Sequence, residues 1–316
     1  MSYAQFGSIQ ATDYNTLVGG DPTTSSGTLN TVWATGGTTA GYGQAAEANV
    51  AVGDSVTAGK WANLVTLTAN SATHQGTAIT SVTAPAAGGT IAYLSAIPTN
   101  LTTIYTSRLN AASQGSTTTN TATYGSTWST AITFTHTVTF ANGNAARYFF
   151  NSGGQLKVTT AHANNTAGIN LLLNNLCSNV GTVALSAPTS GTITISGVTY
   201  SGITKVGGGG NTPSPYLTNN GYFALTTANA NVFLQTATTG PASYLGTYIS
   251  VLIKSNGTQG ANGDAGSIIT IYTVWDEVPD GLTAGTGSAT TVTIVPPETT
   301  NIGNSWGTPS ITGTVA

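Results

Sequence analysis

The side chains that could support catalysis or metal binding are few: three histidines, nine acidic residues and one cysteine in 316 residues. No two of His74, His136 and His162 have the i, i+2 or i, i+4 spacing of zinc ligands. His136 lies on the apolar face of a predicted strand and His74 follows a predicted helix end, where a histidine can have a structural role. His162 ends a strand. The spacing predicts no metal site and no cofactor.

Five of the nine acids lie late in the chain: Asp264, Asp276, Glu277, Asp280 and Glu298. The segment 256–264 could offer oxygen ligands to calcium but lacks the EF-hand pattern. A hairpin loop with left-handed Asn-Gly steps is the interpretation we favour. Asp276 and Glu277 stand beside Trp275, and paired carboxylates beside aromatic residues could serve glycoside hydrolysis. A strand end entering the turn at 279–281 explains the same residues.

Nucleophile and phosphate-binding motifs are missing from the sequence. There is no Gly-x-Ser-x-Gly, and the glycines at 207–210 lack the Gly-Lys-Ser/Thr ending of a phosphate loop. Cys177 lies in an apolar run, which predicts a buried, inert thiol, and a single cysteine forms no internal disulfide. We therefore predict no catalytic, cofactor-binding or metal-binding residue, and a protein that is not an enzyme.

Charge is sparse throughout the chain. Charged residues make up 5%, against about 25% in an ordinary domain, and the net charge is −3. Low-charge surfaces tend to associate, which favours a protein covered by neighbours, although a hydrated hydroxyl-rich surface is an alternative. The six basic residues are scattered, so the sequence predicts no nucleic-acid binding: Lys60, Arg108, Arg147, Lys157, Lys205 and Lys254.

The sequence also carries no targeting pattern. The opening Met-Ser-Tyr-Ala-Gln-Phe-Gly has neither the basic nor the apolar region of a secretory signal. No stretch approaches the roughly 18 apolar residues of a membrane span. We expect synthesis in the cytoplasm and no membrane partner.

Four regions follow from the distribution of apolar residues. Residues 1–56 predict an extended arm with short helical turns, which must lie on its own body or on a neighbour. Residues 57–115 predict a helical hairpin, and residues 116–297 predict a β-rich domain that includes a helix at 166–180. Residues 298–316 predict an extended tail. The fold class is mainly β, with an antiparallel, sandwich-like body and the 166–180 helix packed on the sheet.

Local signals support the predicted elements. Thr57 is an N-cap for the first helix and Gly76 ends it, Pro98 opens the second and Gly115 ends it, and Gly181 stops the third. Residues 132–140 alternate apolar side chains with threonine, the period of a half-buried strand.

A hairpin at residues 146–160 is a sharper expectation. It places Tyr148 and Phe150 in the core against the third helix through Leu172 or Leu176. Arg147 and Phe149 then occupy a partly wet face, so that Arg147→Ala leaves the fold intact and weakens assembly.

Several motifs resemble those of uncharacterised virion structural proteins of tailed bacteriophages, cyanobacterial phages especially. They include Ala-Ala-Arg-Tyr-Phe-Phe-Asn-Ser-Gly-Gly-Gln-Leu at 145–156, Thr-Val-Trp-Ala-Thr-Gly at 31–36 and Tyr-Thr-Val-Trp-Asp-Glu at 272–277. The resemblance spans nearly the whole chain and is loose. It implies a virion component on the tail, neck or fibre side, and it supplies no functional residue.

Together these observations predict a structural subunit of a phage virion that forms a homo-oligomer and contacts other virion proteins. A receptor- or glycan-binding adhesin at a fibre tip is an alternative, motivated by Tyr216, Tyr244 and Trp306 in predicted loops. A capsid decoration protein is another. The sequence leaves open the component, the oligomeric state, contact with a host receptor and calcium binding at 256–264.

Overall fold

The computed structural model describes residues 10–19, 27–51, 53–86, 91, 95–209, 215–238, 244–260, 263–277 and 282–316. Its helices, in chain order, are α1 (Ala11–Val18), α2 (Leu29–Trp33), α3 (Ala58–Gln75), α4 (Ala96–Thr106), α5 (Gly143–Asn151) and α6 (Ile169–Val180). A 3-10 turn covers Tyr222–Ala224.

The strands, in chain order, are β1 (Thr118–Tyr124), β2 (Ala131–Thr139), β3 (Gln155–His162), β4 (Thr182–Leu185), β5 (Ile193–Ile195), β6 (Val198–Tyr200), β7 (Ile203–Val206), β8 (Tyr216–Leu217), β9 (Ala230–Thr236), β10 (Tyr248–Ser255), β11 (Ile268–Asp276), β12 (Ser288–Val295) and β13 (Ser310–Val315). They form one sheet in the order β1-β12-β3-β4-β7 and another in the order β13-β2-β11-β10-β9-β8, while β5 and β6 form a separate hairpin. Neighbouring strands are antiparallel throughout these sheets.

The two large sheets belong to one hydrophobic core. Their inner faces meet where the ring of Trp275 on β11 lies 6.5 Å from the ring of His162 on β3. Helix α6 packs on β3 and also contacts β9 and β10. The predicted mainly β, antiparallel and sandwich-like fold class is confirmed.

The same core continues into the N-terminal segments and the helices. Tyr14, Leu29 and Tyr42 are buried in the cluster that also holds Leu64 of α3 and Ile104 of α4. The described part of residues 10–56 therefore lies on the chain's own body. Helices α3 and α4 are also joined by a hydrogen bond from the Gln75 amide to the Ile104 carbonyl, at 2.9 Å.

Several local predictions are confirmed. Thr57 accepts a hydrogen bond from the backbone N–H of Lys60, and Gly76 ends α3 in the left-handed conformation. The four apolar-face residues of β2 are buried, namely Ile132, Phe134, His136 and Val138. Cys177 is buried in α6, where burial raises the pKa of its thiol to about 12.

Other local predictions are wrong. Helix α4 ends at Thr106 rather than near Gly115. Residues 146–151 belong to helix α5, whose N-cap Asn142 accepts a hydrogen bond from the backbone N–H of Ala145. Within residues 298–316 the chain adds strand β13, which pairs with β2 along its full length.

Helix α5 places Phe150 in the core as predicted, but it changes the predicted environments of Arg147, Tyr148 and Phe149. Phe149 and Phe150 are both fully buried, Arg147 is 4% exposed, and Tyr148 is only half-buried. Phe150 stacks on Tyr222 with ring centroids 4.1 Å apart. A helix places residues i, i+3 and i+4 on one face, so Ala146, Phe149 and Phe150 point inward together.

Candidate functional site

The structure places the three histidines in separate buried environments. His136 lies beside Asn120 of β1, and burial lowers its pKa. Among the described residues, no group of three histidine, cysteine or acidic side chains could hold a metal ion. None of the described helices is both long and apolar enough to cross a bilayer.

One cluster has the residue types of a serine hydrolase. The Nδ1 of His162 lies 3.1 Å from the hydroxyl of Ser288, and its Nε2 lies 3.0 Å from Oδ1 of Asn170. A base held between a hydroxyl and an orienting side chain is the arrangement that activates a nucleophile. Sequence reasoning missed this cluster because its members come from β3, α6 and β12.

Burial argues against catalysis by this cluster. Ser288 has no exposed surface and His162 is 3% exposed. The indole N–H of Trp128 also donates to the Ser288 hydroxyl at 3.1 Å, which engages one of its lone pairs. The Asn170 carbonyl oxygen accepts a further bond from the backbone N–H of Gly285 at 2.6 Å. The cluster fastens β12 and its preceding loop to β3 and α6.

His74 also has a structural environment. Its Nε2 lies 3.1 Å from the carbonyl oxygen of Ser152, and its Nδ1 lies 4.0 Å from a carboxylate oxygen of Glu298. Burial lowers the pKa of His74 to about 4, although the Ser152 carbonyl and Glu298 act in the opposite direction. Burial raises the pKa of Glu298, but hydrogen bonds from Thr300 and Asn301 and the nearby His74 lower it below its usual value. His74 therefore connects α3, the end of α5 and the C-terminal segment.

Arg147 holds the loop that precedes Gly41 onto α5. Its guanidinium donates to the carbonyl oxygens of Thr35, Gly37 and Ala40 at 2.8, 2.5 and 2.9 Å. Asn151 also donates to Ala40, at 3.0 Å. The arginine is buried, and desolvation lowers its pKa. The expectation of a wet Arg147 is therefore wrong, because its partners are backbone carbonyls of its own chain.

The late acids do not form a catalytic pair beside an exposed aromatic residue. Trp275 has no exposed surface, so it offers no platform for a sugar ring. Asp276 accepts a hydrogen bond from the Tyr248 hydroxyl at 2.9 Å, and Glu277 is buried. The turn at 279–281, with Asp280, lies outside the described residues.

The 256–264 loop is closed by its own side chains. The Asn256 amide donates to the carbonyl oxygen of Asp264 at 2.9 Å, and its Oδ1 accepts from the backbone N–H of Ile268 at 3.0 Å. These bonds use the oxygen that a calcium ion would need from Asn256. Asn262 lies outside the described residues.

A surface cavity of about 270 Å³ lies between α3, residues 77–82 and the start of α4. Its wall consists of small apolar, hydroxyl and amide side chains, including Val65, Ala69 and Ile79, and no titratable residue lines it. Asn100 binds the backbone N–H and carbonyl of Thr80 at 3.0 and 2.8 Å. Among the described residues that line the cavity there is no acid or base that could activate one of its hydroxyl groups.

Threonine side chains form a row across the outer face of the five-stranded sheet. Thr121, Thr291, Thr159 and Thr182 are direct neighbours on β1, β12, β3 and β4. The hydroxyl oxygens of Thr121 and Thr291 lie 2.7 Å apart. Each of the four threonines keeps some exposure. The row therefore gives the outer face of this sheet a band of hydroxyl groups, beside Lys157 on the same face of β3.

The six-stranded sheet repeats the pattern on its own outer face. Thr312 of β13 is opposite Thr137 of β2, which is opposite Thr270 of β11. The charged residues within the described strands are Lys157, Lys205, Lys254 and Asp276. Neighbouring strands lie about 4.8 Å apart, so threonine side chains at paired positions are direct neighbours across the sheet. The alternating Thr residues at 133–139 were the sequence signal for this surface.

Strands β1, β2 and β13, on one side of the sandwich, belong to segments without acidic or basic side chains. No aspartate, glutamate, lysine or arginine occurs from 109 to 146 or from 299 to 316. Strands β1 and β13 are the outermost strands of their sheets on that side. These neutral faces and strand edges are the candidate functional surface, and they are suited to contacts between proteins.

No known protein family, curated protein or solved structure matches the chain.

Proposed function

We propose that this protein is a structural subunit of a bacteriophage virion, on the tail, neck or fibre side, that functions as a homo-oligomer. The observation that carries the proposal is the low-charge, threonine-rich outside of the sandwich, together with the outermost strands β1 and β13, beside which the described residues place no further strand of the same sheet. Neutral surfaces associate readily because no like charges repel. A subunit whose surface is covered by neighbours has little need of charge to stay dispersed.

The loose resemblance of several sequence motifs to virion proteins of tailed phages supports the setting. The burial of the described N-terminal segments on the chain's own body agrees with a subunit that folds before it assembles. The three buried histidines and the enclosed Ser288 agree with a structural rather than a catalytic role.

Imaging tests this proposal. Purified particles labelled with an antibody against the chain are expected to carry label on the tail, neck or fibre. Antibody first absorbed with the purified protein is the control. Label on the head would assign a decoration role instead, and absence of the chain from purified particles would refute the proposal.

A receptor- or glycan-binding role is a second candidate, favoured by exposed apolar side chains on β8. Tyr216 is 53% exposed and its neighbour Leu217 is also exposed. Trp306, in contrast, is 2% exposed and belongs to the core, so it cannot serve such a site in this fold. Binding to host cells that is lost on Tyr216→Ala and kept on Tyr248→Phe would support the adhesin.

We also propose that the chain has no catalytic activity. The purified protein is expected to leave ester substrates and host polysaccharides intact. Ester hydrolysis abolished by Ser288→Ala, or polysaccharide hydrolysis abolished by Asp276→Asn, would contradict this. Circular dichroism of each variant would show that the loss does not come from unfolding.

A further inference from the structure

Strand β13 has one paired edge and one edge directed away from the sheet. It is the outermost strand beside β2 in the part of the chain that the structure describes. Exposed edges offer unpaired N–H and C=O groups to another strand, and proteins usually protect them with charges, prolines or bulges. The sequence of β13, Ser-Ile-Thr-Gly-Thr-Val, has no charge and no proline. Its register with β2 is continuous from Ser310 to Val315.

The hydrogen bonds identify which backbone groups are directed outward. Ala316 and Thr133 exchange both backbone hydrogen bonds, at 2.8 and 3.0 Å. Hydrogen-bonded pairs alternate along an antiparallel ladder, so Thr314 and Thr312 also bond to β2. The intervening residues, Ile311, Gly313 and Val315, therefore direct their N–H and C=O groups to the open edge.

The side chains of β13 also alternate, between an exposed outer face and a half-buried inner face. Ser310, Thr312 and Thr314 are exposed, while Ile311 and Val315 are half-buried against the core. Gly313 faces β1 so closely that a Cβ would lie 2.2 Å from Oδ1 of Asn120. The strand therefore has hydroxyls on its outer face, apolar groups on its inner face and a glycine in the middle.

We propose that a second copy of this chain pairs antiparallel with β13 about a two-fold axis at Gly313. Outward-directed residues must form the hydrogen-bonded pairs, so Gly313 lies opposite Gly313, and Ile311 lies opposite Val315 of the second copy. Thr312 then lies opposite Thr314 on the exposed face. The inner pairs are matched by side chains of the same kind, apolar Ile311 with Val315 and hydroxyl-bearing Thr312 with Thr314.

The second copy is the favoured occupant because this side of the sandwich is self-complementary in charge. Segments 109–146 and 299–316 contain no aspartate, glutamate, lysine or arginine, so the same surface can approach itself without repulsion between charged side chains. An isologous contact uses the same patch on both copies and therefore closes at two copies. A strand whose central residue lies on the two-fold axis suits such a contact. The two six-stranded sheets would then form one continuous sheet. This inference deepens the proposed assembly role and rests on it.

Sedimentation of the purified chain at micromolar concentrations tests the pairing. We expect a dimer, and Thr312→Lys should raise its dissociation constant roughly tenfold, because the variant brings like charges together on an exposed face across the axis. Thr199→Lys is the matched control, because Thr199 is exposed on β6, in the separate β5–β6 hairpin rather than in the sheet that contains β13. Combining Thr312→Lys with Thr314→Glu should restore the dimer.

Disulfide trapping tests the register. A mixture of Thr312→Cys and Thr314→Cys chains should form covalent dimers on oxidation, and neither variant alone should do so to the same extent. Cys177 is buried and does not interfere. Strong crosslinking of Thr312→Cys with itself would overturn the axis at Gly313.

The outcomes also separate this inference from the proposed function. A monomeric chain, or a dimer that Thr312→Lys leaves unchanged, overturns the pairing even if antibody finds the chain in particles. A monomer whose incorporation into particles is lost on Thr312→Lys would assign the edge to a strand of a different protein. A β13-paired dimer absent from particles would refute the virion role alone.

Discussion

The replacement of Arg147 by alanine tests how the chain fastens its N-terminal loop to α5. Arg147 donates to three backbone carbonyls between residues 35 and 40 and lies 4.6 Å above the Tyr148 ring. Leaving a buried polar group without a partner costs about 1–3 kcal/mol. Because water can reach part of the loop after the change, we expect Arg147→Ala to lower the free energy of unfolding by about 3–4 kcal/mol.

Arg108 provides the matched control. It donates to the carbonyl of Thr39 in the same loop at 2.7 Å and lies 4.4 Å above the Tyr105 ring, but it is half-exposed. Water can replace its bonds, so Arg108→Ala should cost only about 1 kcal/mol. Arg147→Lys keeps the charge and loses the planar fork of donors, so it should fall between the two alanine variants.

Urea unfolding followed by tryptophan fluorescence measures the three variants. If Arg147→Ala lowers the free energy of unfolding no more than Arg108→Ala does, the buried guanidinium does not hold the loop on α5. An intact free energy of unfolding combined with weaker assembly would instead support the wet-face interpretation of Arg147 that the sequence suggested.

Three further results are expected. The free energy of unfolding should fall as the pH drops from about 6.5 to about 4, because unfolded His74 takes up a proton that the buried ring resists; the loss is about 3 kcal/mol at most, and His74→Gln should flatten the profile. Phe150→Ala should cost about 3–5 kcal/mol in urea unfolding, because its ring is buried against Tyr222; a loss below that of Arg108→Ala would contradict this packing. Gly313→Ala should lower the melting temperature, whereas Thr312→Ala should not, because only the former places a methyl group against Asn120; equal melting temperatures would refute the close approach of β1.

Much of the β architecture was predictable from local pattern. The alternation of apolar residues and threonine at 132–140 indicated both the strand and its buried face, because side chains alternate across a sheet. Thr57 and Gly76 gave the bounds of α3, since capping residues satisfy the ends of a helix regardless of its tertiary contacts. The turn at Ser196 and Gly197 was also correct, and both residues have positive φ.

Helix α5 shows where local pattern was insufficient. Arg147 to Phe150 form a short run with two adjacent phenylalanines, and a run of that length fits a strand or a helix equally well. Asn142 as an N-cap was the available signal for the helix. The buried contact of Phe150 with Tyr222 is separated by 72 positions in the chain, so no local pattern could place the two rings together.

The sequence by itself determined composition, charge and period: a chain with few charged residues, rich in threonine and glycine, whose alternating segments form antiparallel strands with hydroxyls outside. Only the tertiary structure decided which residues meet. It enclosed Ser288 and His162, buried Arg147 among carbonyls of its own chain, and made β13 an edge strand beside β2. The physical reason is that local periodicity depends on neighbours along the chain, whereas burial, hydrogen-bond partners and strand order depend on segments that are distant in sequence.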